Sequence, residues 1–539
     1  MTDRAYLTTP IYYVNDKPHI GHAYTTTLCD VAARFMRFLG RDVFYLTGTD
    51  EHAAKVVDSA AQRGLTPQQW ADQNAAAFQD AFRLLHISND DFIRTTQERH
   101  KTRVARYVRA LMDSGDVYLG DFEGWYDAGQ EEYVTDSKAK EYGYQSPING
   151  KPLVRRKEHN YFFRLSAYRE PLLALLERRE PVNGATFDVK PEARRNEIIA
   201  RIREMEDVPI SRTSEGSGAP WGIRIPGDEQ HTIYVWIDAL FNYLSTVDTD
   251  ERRKYWTCGP IHVIAKDILW FHAAIWPAML LALRTRPGYE WVTLPRYVYC
   301  HSFWISEGQK MSKTLGNFID LPTIEQYLRT YSLDGWRYYM VTQGPLGATD
   351  SDFSAAHFHG VYHTDLVNTV GNCASRVTAM IGKYFDGAVP PEMAPERYTL
   401  PGFDLPASAR EAVETAITAI DRFDLAEAAA AAIALIRRVD AFINATEPFK
   451  MARDAARVPQ VGSILHQCLE AVRIATLLLW CVMPDATSAF WRAIGCGEID
   501  PTKGGLRDLA RWGGLTAGRK VEKIALFPRV EHAPAAATH

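Results

Sequence analysis

Apolar residues in the first fifty positions change their period twice. Ala5–Thr9 is a short run with the character of a buried strand, and a polar, tyrosine-rich loop, Ile11–Lys17, follows it. Leu28, Val31, Phe35 and Leu39 then recur at three- and four-residue intervals, which predicts one apolar face of a helix. Pro18 suits the first turn of that helix, where its missing N–H costs nothing, and Gly40 suits its end. Asp42–Thr47 restores a strand pattern, with Gly48-Thr49-Asp50 at its carboxyl end. Strand, helix and strand at this spacing form a βαβ unit, so the predicted class is α/β with a doubly wound parallel sheet. Ligands of such sheets collect beyond the carboxyl ends of the strands. The His19–His22 segment and Asp50 both fall there.

The alternation stops between Val117 and Ile225. That interval is rich in glycine turns and in aromatic clusters such as Trp125-Tyr126, and it predicts an insertion that splits the sheet. Strand-like runs return at Thr232–Trp236, Ile261–Ala265 and Arg296–Cys300, with a helix over Ile268–Leu283, and predict the second half of the same sheet. From Ala355 the pattern is helical. Leu425–Val439 shows it best, with the alanines Ala428–Ala432 supplying helix propensity and Asp424 as N-cap. The chain thus divides into a first half-sheet (1–116), an insertion (117–225), a second half-sheet (226–320), a linking region (321–360), a helical domain (361–530) and a disordered tail (531–539).

At 539 residues the chain exceeds what one core supports. Its 46% hydrophobic and 24% charged residues are those of a soluble globular protein. A formal net charge of −5 excludes coating of nucleic acid by bulk charge and leaves a local basic patch open. No apolar run reads as long enough to cross a bilayer, and Met1–Leu7 lacks a signal-peptide core. Seven widely spaced cysteines make no disulfide framework. A cytoplasmic protein without membrane association is expected.

Two segments far apart in the chain carry candidate chemistry. In Pro18-His19-Ile20-Gly21-His22 two imidazoles lie three apart at a helix start, where free N–H groups and the helix dipole favour phosphate and Gly21 admits close approach. A zinc pair is the other reading of these histidines, although the usual helical spacing is four. In Lys310-Met311-Ser312-Lys313-Thr314, flanked by Gly308 and Gly316, two ammonium groups can clamp a leaving pyrophosphate; a solvated surface loop is the plainer reading. One active site uses both segments only if the fold joins them.

Together these segments resemble the paired signatures of class I aminoacyl-tRNA synthetases. Thr8–Tyr24, Leu46–His52 and Tyr234–Ala239 narrow the resemblance to the methionyl-tRNA synthetase family, and it runs from the first strand to Val530. The resemblance implies a Rossmann-like catalytic sheet split by a connective insertion, then an all-α anticodon-binding domain. It implies activation of L-methionine by ATP, with Mg²⁺ accompanying the ATP, and transfer to initiator and elongator tRNA(Met). Catalytic roles fall on His19, His22, Lys310 and Lys313. ATP contacts fall on His19, Gly21, His22, Lys266, Asp267, Lys310 and Lys313. The methionine pocket draws on Ile11, Tyr13, Asp50, Trp236, Tyr243 and His272, with Asp50 holding the substrate ammonium. Anticodon contacts fall on Asn372, Arg376 and Phe449.

The chain departs from the family pattern at several points. Ala265 stands where the family has glycine before Lys266-Asp267, Phe449 where it commonly has tryptophan, and Thr314 where it has serine. Between Val117 and Arg224 there is no cysteine, so no structural zinc is expected. The chain stops soon after Phe527-Pro528-Arg529, without a dimerising module, and a monomer is expected. Enzymes for isoleucine, valine and leucine carry larger editing insertions. A non-catalytic RNA-binding relative would show damaged signatures, and here both histidines, both lysines and Asp50 are present.

Overall fold

The computed structural model describes residues 3–15, 17–127, 132–134, 136–147, 150–213, 221–306, 308–309, 311, 317–392 and 397–533. Six strands form its main sheet: β1 (Arg4–Tyr13), β2 (Asp42–Asp50), β3 (Asp91–Arg94), β4 (Asp188–Lys190), β5 (Ile261–Ala265) and β6 (Tyr297–His301). Their order is β3-β2-β1-β5-β6-β4, and every pairing is parallel. The order reverses between β1 and β5, which makes their carboxyl ends the topological switch point.

β1 is longer than the sequence pattern predicts, because Ile11–Tyr13 continue the strand instead of entering a loop. Its register against β2 slips between Thr8 and Ile11, at Pro10, which has no N–H to offer a neighbour. Such a slip re-aims the side chains beyond it, here Ile11 and Tyr13. Near the end of β2, Gly48 is required by close approach: a Cβ there would collide with the carbonyl of Ile93 on β3.

Helix α1 (Ile20–Phe38) starts one residue after its N-cap, His19, so Pro18 precedes the helix instead of occupying its first turn. Gly40, at φ +82°, follows its C-cap Leu39. Two further readings are corrected. The strand ending at Ile233 begins at Asp228 and belongs to a separate antiparallel sheet with 211–213 and 224–225. Trp236 therefore lies on a helix, since a short apolar run does not by itself distinguish strand from helix. The interval 117–225 also contributes β4 to the main sheet. The rest of it is built around a four-stranded antiparallel sheet led by Val117–Asp127 and Val154–Phe163.

Helix α2 (Glu98–Asp113) follows β3, α3 (Val235–Leu240) follows the strand ending at Ile233, and α4 (Leu321–Gln343) leads out to the helical region. That region comprises chiefly α5 (Asn372–Tyr384), α6 (Leu405–Asp421), α7 (Leu425–Thr446, capped by Asp424) and α8 (Val458–Leu479). By length and composition the stretch Ala455–Leu479 is apolar enough to cross a bilayer, against the sequence expectation, yet its apolar window is wholly buried within the protein. A helix buried on all sides is the core element of such a bundle. It holds a buried Glu470–Arg473 ion pair at 2.7 Å.

Main sheet and helical region meet at Arg337 of α4, which is fully buried. Its guanidinium reaches Asp30 of α1 at 2.5 Å and donates to the carbonyls of Leu85, Cys481 and Val482 at 3.0–3.1 Å. Burial alone would raise the Asp30 carboxyl; Arg337, Arg34 and hydrogen bonds from Ser88 outweigh it and hold the group below its ordinary range.

Candidate active site

A cavity of about 460 Å³ opens at the switch point between β1 and β5. Its wall contains His19, Gly21 and His22 from α1, Ile11 and Tyr13 from β1, and Asp50 from the end of β2. Trp236, Tyr243, Asp267 and His272 complete the set. Ten residues named from sequence therefore line one enclosure, although they span more than 250 positions.

His19 and His22 are arranged by the helix start itself. The Nδ1 of His19 accepts from the Gly21 N–H at 3.1 Å, and the Nδ1 of His22 accepts from the His19 N–H at 3.3 Å, a reciprocal cap. The N–H of Ile20 donates to the carbonyl of Ile319 at 3.0 Å. The first amides of α1 are thus taken, which corrects the expectation that they would be free for phosphate. With both Nδ1 atoms accepting, each neutral ring carries its proton on Nε2, and those N–H groups become the donors. The two ring centroids are 3.8 Å apart. Burial, and then His19, hold His22 well below the ordinary imidazole range. Gly21 has a local reason: a Cβ there would stand 3.0 Å from the His19 ring.

The opposite group of residues is aromatic and largely enclosed. Tyr13 stands edge-on to Trp236 at 5.8 Å, and Trp236 stacks on Phe271 at 4.0 Å. His272 donates from Nδ1 to the carbonyl of Ile268 at 3.0 Å, which leaves Nε2 to accept the Tyr243 hydroxyl at 2.8 Å. Burial pushes His272 down to about 4. Asp50, 2% exposed, places a carboxylate in the same wall.

Lys266 is not brought to the cavity. Its ammonium lies 2.7 and 2.9 Å from the two carboxylate oxygens of Asp350, over the ring of Phe303. Ala265 lines the cavity in an extended conformation open to any residue (φ −85°). Lys310 and Lys313 lie outside the described residues. The described segments on either side of them border the site: Phe303, Trp304 and Phe318 line the cavity, Phe318 packs on His19 at 5.1 Å, and Asp320 pairs with His19.

The sequence reading missed His301, which closes the cavity at the end of β6. Its Nδ1 donates to the Ser302 carbonyl at 2.7 Å and its Nε2 accepts from Thr25 of α1 at 2.8 Å, while burial pushes it down to about 4. The signal was present: His301 directly follows the predicted strand Arg296–Cys300, at a carboxyl end where ligands gather.

In the helical region Asn372 is exposed, and one turn on, Arg376 reaches Asp440 at 3.5 Å and Asn444 at 3.1 Å near the end of α7. A left-handed residue, Glu447 (φ 44°), then turns the chain into the short helix that carries Phe449, 41% exposed. Among the described residues no group of three or more His, Cys, Asp or Glu side chains is arranged to hold a metal ion.

A family model described as tRNA synthetases class I (M) matches residues 5–378, more than half of the chain. The chain therefore belongs to the class I tRNA synthetases. Within that class it belongs with the methionine–tRNA ligases. One such ligase, from Streptomyces coelicolor, is 39% identical over 557 residues, covering 98% of this chain and 97% of that protein. Another, from Halalkalibacterium halodurans, is 37% identical, covering 98% of this chain and 78% of its own length. The structure is similar to that of Mycobacterium tuberculosis methionyl-tRNA synthetase in complex with methionyl-adenylate, with a TM-score of 0.84, 32% identity and coverage of 98% and 100% of the two chains.

Proposed function

We propose that the chain activates L-methionine with ATP, giving methionyl-adenylate and pyrophosphate, and then transfers the methionyl group to tRNA(Met). The observation that carries this reading is the single cavity joining the His19–His22 cap to Asp50 and the Trp236–Tyr243–His272 wall. The methionine–tRNA ligases among its relatives and the adenylate-bound neighbour support it.

Asp50 receives the substrate ammonium. The thioether enters the aromatic wall, where sulfur–aromatic contacts are worth about 0.3–1.5 kcal/mol each. The methionine carboxylate attacks the α-phosphorus of ATP and pyrophosphate leaves in line, so no covalent enzyme intermediate is needed. The Nε2–H groups of His19 and His22 donate to phosphate oxygens as charge develops, and Lys310 and Lys313 act on the leaving pyrophosphate. Asp267 takes the ribose. ATP is bound as its Mg²⁺ complex, the cation offsetting phosphate charge. In the second half-reaction the 2′-hydroxyl of the terminal adenosine attacks the methionyl carbonyl and AMP leaves.

On the same reading residues 117–225, apart from β4, are a zinc-free connective insertion, and 321–360 contact the tRNA stem. Residues 361–530 read the anticodon through Asn372, Arg376 and Phe449, in a cytoplasmic monomer. Pyrophosphate exchange measured with each of the twenty amino acids tests the reading. Methionine is expected to be strongly favoured; silence with all twenty would overturn it.

A further inference from the structure

Helix α3 carries Trp236, Ala239 and Leu240 into the cavity wall, yet a helix of six residues is not held in place by its own hydrogen bonds. Asp238, on the same helix, is absent from that wall and is only 1% exposed. One of its oxygens lies 2.6 Å from Nδ1 of His52 and the other 2.6 Å from Nε2 of His100. Burial alone would raise this carboxyl, but the two imidazoles outweigh burial and bring it down to about 2. The group is therefore an anion that accepts from both rings.

Each ring belongs to a different part of the site. His52 follows Asp50 by two residues on the turn leaving β2. Trp221 stands edge-on to the His52 ring at 5.6 Å and donates its indole N–H to the Glu51 carbonyl at 2.5 Å. His100 is a fully buried residue of α2, and its other nitrogen is bonded to Ser245 Oγ at 2.8 Å, in the short helix that contains Tyr243. One carboxylate thus joins the strand end that presents Asp50 to the two short helices that present Trp236 and Tyr243.

We propose that Asp238, held by His52 and His100, is the positioning residue for the amino-acid end of the cavity, fixing the span between Asp50 and the Trp236–Tyr243 wall. The proposal rests on the reading above that this end binds methionine. A ligand gripped at its ammonium and at its side chain responds to small changes in the distance between the two grips. Two hydrogen bonds to an ionised carboxylate form a stiff link. The imidazoles of His19 and His22 hang from α1, outside this link, so its loss acts on methionine and spares ATP.

Pyrophosphate exchange by the full-length protein, with thermal melting of each variant, tests the proposal. Asp238→Asn sets an amide N–H₂ against an imidazole donor, and His52→Ala removes one donor. Each is expected to raise KM for methionine about tenfold, with kcat and KM for ATP changed less than about twofold. His52→Asn keeps an N–H near the position of Nδ1 and is expected to recover KM for methionine to within about threefold of the parent. If Asp238→Asn does not fold, the two His52 variants decide. Unchanged KM for methionine in folded variants, KM for ATP rising in step with it, or no recovery in His52→Asn would each overturn the proposal. A parent enzyme silent with methionine would instead overturn the functional reading on which it rests.

Discussion

The cavity at the sheet's switch point and the exposed face around Arg376 and Phe449 place polar and aromatic side chains under opposite conditions. In the cavity Asp50, Tyr243 and His272 are each at most 2% exposed. On the helical face Asn372 stands in solvent and Phe449 is 41% exposed. An enclosed site must supply partners from its own side chains, and here Tyr243 meets His272 while His19 and His22 cap one helix start between them. An open face needs no such closure, because water serves until a base stacks there. Damage should therefore spread within the cavity and stay local on the face.

The strongest attempt to break this contrast is Asp50→Ala, which removes the buried carboxylate assigned above to the substrate ammonium. Pyrophosphate exchange is expected to fall about 10²–10³-fold in kcat/KM, the loss that follows truncation of one partner in a buried charge pair. Retained activity would refute the assignment. On the face, Phe449→Ala is expected to lower the rate of tRNA charging about 10- to 100-fold, matching about 1–3 kcal/mol of lost stacking, while exchange with methionine stays within about twofold. Equal loss of both activities would mean that Phe449 supports the fold instead of a base. Arg376→Gln should act in the same direction with a smaller effect, about three- to tenfold on charging and none on exchange, since its guanidinium already shares Asp440 and Asn444.

The smallest effect expected is on stability against acid. Burial holds His272 and His301 at about 4, below the ordinary imidazole value near 6.5. As pH falls from about 6.5 toward 4 the unfolded chain takes up protons that the folded cavity refuses, so stability declines across that window. His301→Gln should flatten the decline, visible as a loss of Tm between pH 7 and pH 5 that is about 1–2 °C smaller than in the parent. An identical acid profile would show that His301 does not contribute.

Much of this site was legible in the sequence because its residues are tied to strand ends and a helix start, which periodicity locates well. His19, His22 and Asp50 fall at such places. Ile11 and Tyr13 were assigned to the site by resemblance alone, since the slip at Pro10 that aims them inward depends on pairing with β2. β4 was hidden because three residues carry no period of their own, and they become a strand only by pairing with β6. That Lys266 is drawn away from the cavity could not be read for a related reason: its ion-pair partner, Asp350, lies 84 residues away along the chain. Trp236 was read into a strand because its apolar neighbours suit either element.

Arg337 has a consequence for anyone who would cut this protein into pieces. A fragment ending near residue 360 would keep Asp30 and Leu85 but lose the carbonyls of Cys481 and Val482, leaving part of a buried guanidinium fork without acceptors. The same cut would bare the apolar surface that α4 shares with α7 and with the helix at 484–493. The sheet-bearing half and the helical half are thus consecutive in sequence but share one interior. Neither is a detachable part, and minimal versions of this enzyme will have to be pruned from the insertion side.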